Sequence, residues 1–279
     1  PKSPYCIMLR WCVYVVWVLC VCVCFFIVST TNIKMNTQYG NQPLDEEDRL
    51  GYDFSQQSYK KVDERGNVGD WELDSELSNV DTGVWHNKST KQTHVSNRGS
   101  TSGYDWAVSD AQIATGTEGS GSRFKRAVDT TSKAHDKYGY NVSTSGHSLG
   151  GRVSAYTTER LGDNDWYEGG TGFNQGNSSI ANQFSTSRKA CKGKNPPAFC
   201  AKQTNIKEKG DYVSQRNFAC DVATFGFGGS VCAKSDPFGK TKTYDHRKKR
   251  RWVNALTTTL VPGLRHFKNG KAHSLDVFG

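Results

Sequence analysis

The apolar positions between Arg123 and Tyr138 fall at helical spacing, with Phe124, Ala127, Val128 and Ala134 on one side. This predicts a helix over that stretch, and Gly139 is placed to end it. The acidic cluster Asp45–Asp48 predicts the opening of an earlier helix, running through Tyr59 to about Asp63. Three short strands are expected between these helices, over Trp71–Leu77, Gly83–His86 and Thr93–Ser96, with Asn87-Lys88-Ser89 supplying the turn between the last two. Residues Gly116–Ser122 are rich in Gly and Ser and read as a loop. Downstream, Asn141–Ser145 predicts a strand, Ser148–Leu161 a helix, and Gly170–Phe173 and Gln203–Ile206 two further core strands. The region Cys191–Phe199, with Pro196-Pro197, reads as a loop or insertion, as does most of Asp221–Trp252. Strands alternating with helices argue for an α/β domain with a mainly parallel sheet.

The N-terminal pattern differs. Trp11–Val28 carries no charge and is long enough to cross a bilayer once as a helix, with Lys2 and Arg10 before it and Lys34 after it. It is expected to be a signal anchor or a signal peptide, although it has no clear small-x-small cleavage site. The alternating Val21-Cys22-Val23-Cys24 also fits a translated TGTGTG repeat, in which case the protein starts at Met35. The expected organisation is therefore an apolar segment over 1–35 and one α/β domain over 36–279. A genuine segment would make the protein membrane-anchored or secreted; otherwise it would be soluble.

The 279 residues, 35% of them hydrophobic, suffice for one such domain with a core. The net charge of +9 favours anionic partners, and much of it lies in the run His246–Arg251. The run reads first as a solvated loop; the alternative is that the basic stretch Lys242–Arg251 draws the protein to an anionic membrane surface, while nucleic acid is not the expected partner. Cys191, Cys200, Cys220 and Cys232 form an even set able to make two disulfides in an oxidising compartment, with three pairings open. No CxxC or His-x-x-x-His spacing points to zinc.

The chemistry concentrates at Gly146-His147-Ser148-Leu149-Gly150-Gly151, which contains G-x-S-x-G between a predicted strand and a predicted helix. In a nucleophile elbow the serine sits on a sharp strand-to-helix turn, and flanking glycines let the backbone approach closely. The following helix N-terminus aims amides at developing negative charge. His147 is expected to pack rather than act as a base. This segment resembles the active-site turn of the fungal lipase-like family, the class 3 lipases. Val95–Ser100 with Asp105, Trp106 and Asp110 is similar to that family's strand and oxyanion loop, and Phe173-Asn174-Gln175-Gly176 to the strand after its elbow helix. Gly210–Ser214 resembles its acid loop and His273–Phe278 its histidine segment. The resemblance covers roughly Asp45 to the end, with a departure at the basic Gly239–Arg251 insertion and at a weakly apolar lid over Ala111–Ser122.

A serine hydroxyl needs a base to take its proton, and the base needs an orienting carboxylate. In α/β-hydrolases the chain order is nucleophile, acid, histidine. After Ser148 the histidines are His246, His266 and His273; His273 is preferred, with His266 kept open. Among the later aspartates, Asp211 follows a predicted core strand and is the preferred acid. The resemblance implies that Ser100 and the Leu149 amide hold the oxyanion. The expectation is an α/β-hydrolase fold and a serine hydrolase acting on carboxylic esters of lipids, through Ser148, Asp211 and His273 and an acyl-enzyme, with no metal or organic cofactor. The alternative is a catalytically inactive lipase-like scaffold that binds membrane or other anionic surfaces.

Overall fold

A computed structural model describes residues 44–101, 121–176, 186–208 and 238–244. Helix α1 (Glu46–Ser58) opens where the acidic cluster predicts. The Asp45 carboxylate accepts the Asp48 amide at 2.9 Å, and Glu46, Glu47 and Asp48 place negative charge at the positive end of the helix dipole. The helix ends at Ser58, earlier than expected, and Val62–Glu64 forms a separate 3₁₀ turn.

Among the described residues seven strands pair in chain order: β1 (Glu72–Leu73), β2 (Thr82–Asn87), β3 (Gln92–Asn97), β4 (Asn141–His147), β5 (Tyr167–Phe173), β6 (Gln203–Glu208) and β7 (Lys240–Tyr244). The first three are antiparallel and β3 to β7 are parallel. Helix α2 (Ser122–Tyr138) joins β3 to β4 across the residues between, and α3 (Leu149–Leu161) joins β4 to β5. Gly139 ends α2 in the left-handed conformation, φ 65°, that glycine adopts without steric cost. The expected α/β architecture with a mainly parallel sheet is the one the chain forms.

Strand alternation sorts the two faces. Val84, Val95 and Val142 pack with Ala134 of α2, and Phe124 and Ala127 of α2 pack with Leu149, Val153 and Tyr156 of α3. On the other face Trp85 packs with Phe54 of α1, and Phe173 and Ile206 pack with Tyr52 of the same helix. His94 and Ser145 point to this second face, where Ser55 of α1 meets Ser145 at 3.1 Å.

Three expectations are corrected. The strand over Trp71–Leu77 shrinks to two residues because the Asp74 carboxylate accepts the Glu76 and Leu77 amides at 3.0 and 3.1 Å and turns the chain. The supposed loop, most of Asp221–Trp252, contains β7, the last strand of the sheet among the described residues, with the polar sequence Lys240-Thr241-Lys242-Thr243-Tyr244. Lys242 is not a free surface cation: it pairs with Asp45 and Asp48 at 2.8 and 2.6 Å, tying β7 to the start of α1. The region Cys191–Phe199 begins at the end of a short helix, α4 (Thr186–Cys191), and a disulfide closes it from Cys191 to Cys200. Cys220 and Cys232 lie outside the described residues. So do residues 11–28; among the described residues no helix is long and apolar enough to cross a membrane.

Candidate active site

Ser148 stands between the end of β4 and the start of α3 with φ 55° and ψ −120°. A non-glycine residue held there stores on the order of 1–3 kcal/mol of strain and persists only where its surroundings fix it. Those surroundings are backbone. The Ser148 amide donates to Phe173 O at 3.0 Å, while its carbonyl accepts the Arg152 and Gly176 amides at 3.2 and 3.0 Å. The flanking glycines are there for space: a Cβ on Gly146 would lie 2.3 Å from the Gly150 carbonyl, and one on Gly150 would lie 2.0 Å from Asn97 O. The G-x-S-x-G spacing is thus the steric condition for folding α3 back over β4 and against the end of β3. It leaves Ser148 half-buried and Leu149 as the first helical residue, fully buried in the α2–α3 core. As a first-turn amide, that of Leu149 has no acceptor within the helix.

Ser100 follows three residues after β3, whose last residue Asn97 pairs with Gly146 in register. Because the Asn97–Arg98 backbone lies directly on Gly150, the chain leading to Ser100 runs beside the N-terminus of α3. Ser100 Oγ is buried with no hydrogen-bond partner among the described residues. A buried hydroxyl without a partner is costly and calls for an explanation. A negatively charged oxygen arriving at this edge of the sheet would satisfy it.

His147 is 6% exposed, and its Nδ1 lies 2.8 Å from the Tyr59 hydroxyl at the end of α1, so it packs as expected. The strands β5 and β6 are joined at the same edge by Asn174, at φ 42°, whose side chain accepts the Glu208 amide at 2.8 Å. β6 therefore ends at Glu208 beside the elbow strand's neighbour. Asp211, three residues further on, lies outside the described residues, as do His246, His266 and His273 and most of the lid segment. Ser148, Leu149 and Ser100 are brought to one edge.

Two groupings escaped the sequence reading. One is a serine–histidine network below the elbow: His94 Nδ1 meets Ser143 Oγ and its Nε2 meets Ser145 Oγ, both at 2.8 Å, and Ser145 reaches Ser96 at 3.2 Å. Its ring is stacked on Phe54 at 4.1 Å, and burial pushes its pKa down to about 3. Enclosed in this way it has no access to a substrate and is part of the core. The other is a group of arginines around Asp81, beside the segment that carries Ser100. Only the alternation of β3 hinted at the first, and nothing local in the sequence marks the second.

No protein-family model matches the sequence, and no curated protein does. Among solved structures the fold is similar to a triacylglycerol lipase from Penicillium expansum, at 14% identity over 72% of this chain and 81% of that one, with a TM-score of 0.45. It is also similar to the Rhizomucor miehei lipase in its propeptide complex, at 13% identity, 76% of each chain and a TM-score of 0.43. A third is a Yarrowia lipolytica lipase, at 16% identity, 65% of this chain, 78% of that one and a TM-score of 0.39.

Proposed function

We propose that this chain is a serine ester hydrolase of the lipase type, cleaving carboxylic esters of lipids. The observation that carries the reading is Ser148 itself, a non-glycine residue held at φ 55°, ψ −120° on a glycine-packed turn between a central parallel strand and a buried helix. In this reading Ser148 Oγ attacks the ester carbonyl as His273 takes its proton, and Asp211 orients the imidazole and offsets its charge. The carbonyl oxygen becomes an oxyanion held by Ser100 and the Leu149 amide. The intermediate collapses, the carbon–oxygen bond to the alcohol breaks, and His273 returns the proton to the departing alkoxide. Water, deprotonated by the same imidazole, then releases the acid from the acyl-serine. Every group required is an amino-acid side chain or a backbone amide.

The direct test is incubation of the full chain with a serine-directed fluorophosphonate, followed by mass spectrometry. A single adduct on Ser148 is the expected result. A chain kept as a binding scaffold would stay unlabelled, and an adduct on another serine would displace the assignment. A second expectation concerns the oxyanion. Ser100→Ala should lower turnover by about 10²–10³-fold while changing substrate KM little, since the lost hydroxyl acts on charge that exists only in the transition state. A loss confined to KM would mean that Ser100 contacts the ground-state substrate instead.

A further inference from the structure

The group around Asp81 is built in layers. The buried Arg65 guanidinium donates to the carbonyls of Ser58, Asn79, Val80 and Thr82 at 2.7–3.2 Å, fixing the turn that carries Asp81 to the end of α1. The Asp81 backbone carbonyl accepts the Arg98 amide at 2.9 Å. Its carboxylate meets Arg98 at 3.3 Å, Arg123 at 3.9 Å and Arg126 at 2.9 Å. Burial pushes the Asp81 carboxyl up, but the three guanidinium groups outweigh it and hold the pKa below the usual carboxylate range. Arg123, in the first turn of α2 and 7% exposed, donates from the same Nη2 to Arg98 O and, at 3.5 Å, to Gly99 O.

Those two carbonyls belong to the residues immediately before Ser100. The opposite side of the segment is just as constrained: a Cβ on Gly99 would meet the Tyr59 hydroxyl at 1.9 Å and His147 O at 2.9 Å. The segment therefore lies between the elbow and a guanidinium. Burying an arginine at such a place is costly unless it is paired and hydrogen-bonded, and Asp81 supplies the pairing. Nη2 is the atom through which Arg123 meets Arg98 O, Gly99 O and Asp81, and the ammonium of a shorter lysine side chain does not reach the same point in the same orientation.

We propose that Arg123, with Asp81 as its counter-charge, is a positioning residue that fixes the Arg98–Gly99 backbone so that Ser100 meets the oxyanion formed at Ser148. The proposal rests on the ester-hydrolase reading of Ser148. Arg123 touches no reacting atom; it acts through the backbone that presents one of the two oxyanion donors. Its removal should therefore cost transition-state stabilisation and leave ground-state binding largely intact.

The experiment uses the full chain with Arg123→Ala, Arg123→Lys and, as a control on the exposed side of α2, Lys125→Ala. Active sites are counted by fluorophosphonate titration, so that a partly unfolded preparation does not pass for a slow one. Turnover of a soluble short-chain nitrophenyl ester should fall about 10–100-fold in both Arg123 variants, with KM within about threefold, because part of a full oxyanion-donor loss is expected. Lys125→Ala should match the wild type. Amide hydrogen exchange should quicken in the peptide covering residues 97–101 of the Arg123 variants and stay unchanged in β4. Should Arg123→Ala fail to fold, Arg123→Lys carries the same comparison. An active wild type whose Arg123 variants keep their turnover, or whose 97–101 exchange does not change, overturns the positioning role alone. A wild type inert to both ester and fluorophosphonate overturns the hydrolase reading and this one with it.

Discussion

Ser148→Ala should lower ester turnover by about 10⁴–10⁶-fold, the scale seen when a triad nucleophile is removed, and leave the fold intact. Only the hydroxyl is lost. The turn is held by Ser148 N to Phe173 O and by the Arg152 and Gly176 amides to Ser148 O, and none of these involves the side chain. Unfolding midpoints by heat or denaturant should accordingly match the wild type. Asp211→Asn and His273→Ala should each cripple turnover as well, and combining either with Ser148→Ala should add almost nothing, because the three groups act as one unit. His266→Ala should remain active. The measurement is single-substrate kinetics on purified full chains with matched circular dichroism. Activity above a few per cent in Ser148→Ala would remove the nucleophile, and a dead His266→Ala would transfer the base to that residue.

What could be read in advance followed how local the determining physics is. The elbow was legible because the closest approach it needs is steric and falls within six residues: Gly146 must lie against Gly150, and no side chain fits between them, whereas the approach of Asn97 to Gly150 comes only with the fold. Helix α2 was legible from its apolar stripe and from Gly139. Strand β7 was not, because Lys240-Thr241-Lys242-Thr243-Tyr244 has the polarity of a loop. What makes it a strand is its pairing with β6, together with the contact of Lys242 with two carboxylates nearly 200 positions earlier. The Arg123–Asp81 contact is invisible for the same reason. An arginine at the start of a helix reads as a solvated charge until the fold places backbone carbonyls and a buried carboxylate against it. Ser100 and Leu149 were named from a resemblance, and the structure supplies a physical setting for both. Asp211 and His273 still rest on chain order and on the resemblance.

Acid should weaken the fold through His94, by roughly 2 kcal/mol between pH 6.5 and 5. The ring lies between Phe54 and the serines of β3 and β4, with Ser143 and Ser145 on its two nitrogens and Trp71 approaching edge-on at 6.4 Å. None of these contacts is charged, so nothing nearby offsets a proton on the ring, and burial holds its pKa at about 3 against an ordinary 6.5. Above pH 6.5 the imidazole is neutral in both folded and unfolded chains, and the stabilisation is fully present. As pH falls, the unfolded chain binds the proton and the folded one does not, so stability is lost from pH 6.5 downward and goes on falling until about pH 3. Each pH unit is worth about 1.4 kcal/mol, which gives roughly 2 kcal/mol by pH 5 and at most about 5 kcal/mol by pH 3. Domains are typically stable by about 5–15 kcal/mol. The carboxyls of Asp74 and Asp81 are held below their usual range, so their stabilisation is present above about pH 4 and is lost only below it; the window from 6.5 to 5 is free of them. Denaturant unfolding from pH 7.5 to 5 should show this slope in the wild type. His94→Gln should be less stable at pH 7, since it loses the Phe54 stack, but flatter with pH by about one proton. Parallel curves for the two proteins would mean that His94 takes up its proton without unfolding. The consequence for the site is direct, because Ser145 holds the ring from the same strand that delivers Ser148, three residues on. The share of chains that keep the elbow folded should therefore follow this stability curve in the wild type and shift to lower pH, relative to neutral stability, in His94→Gln.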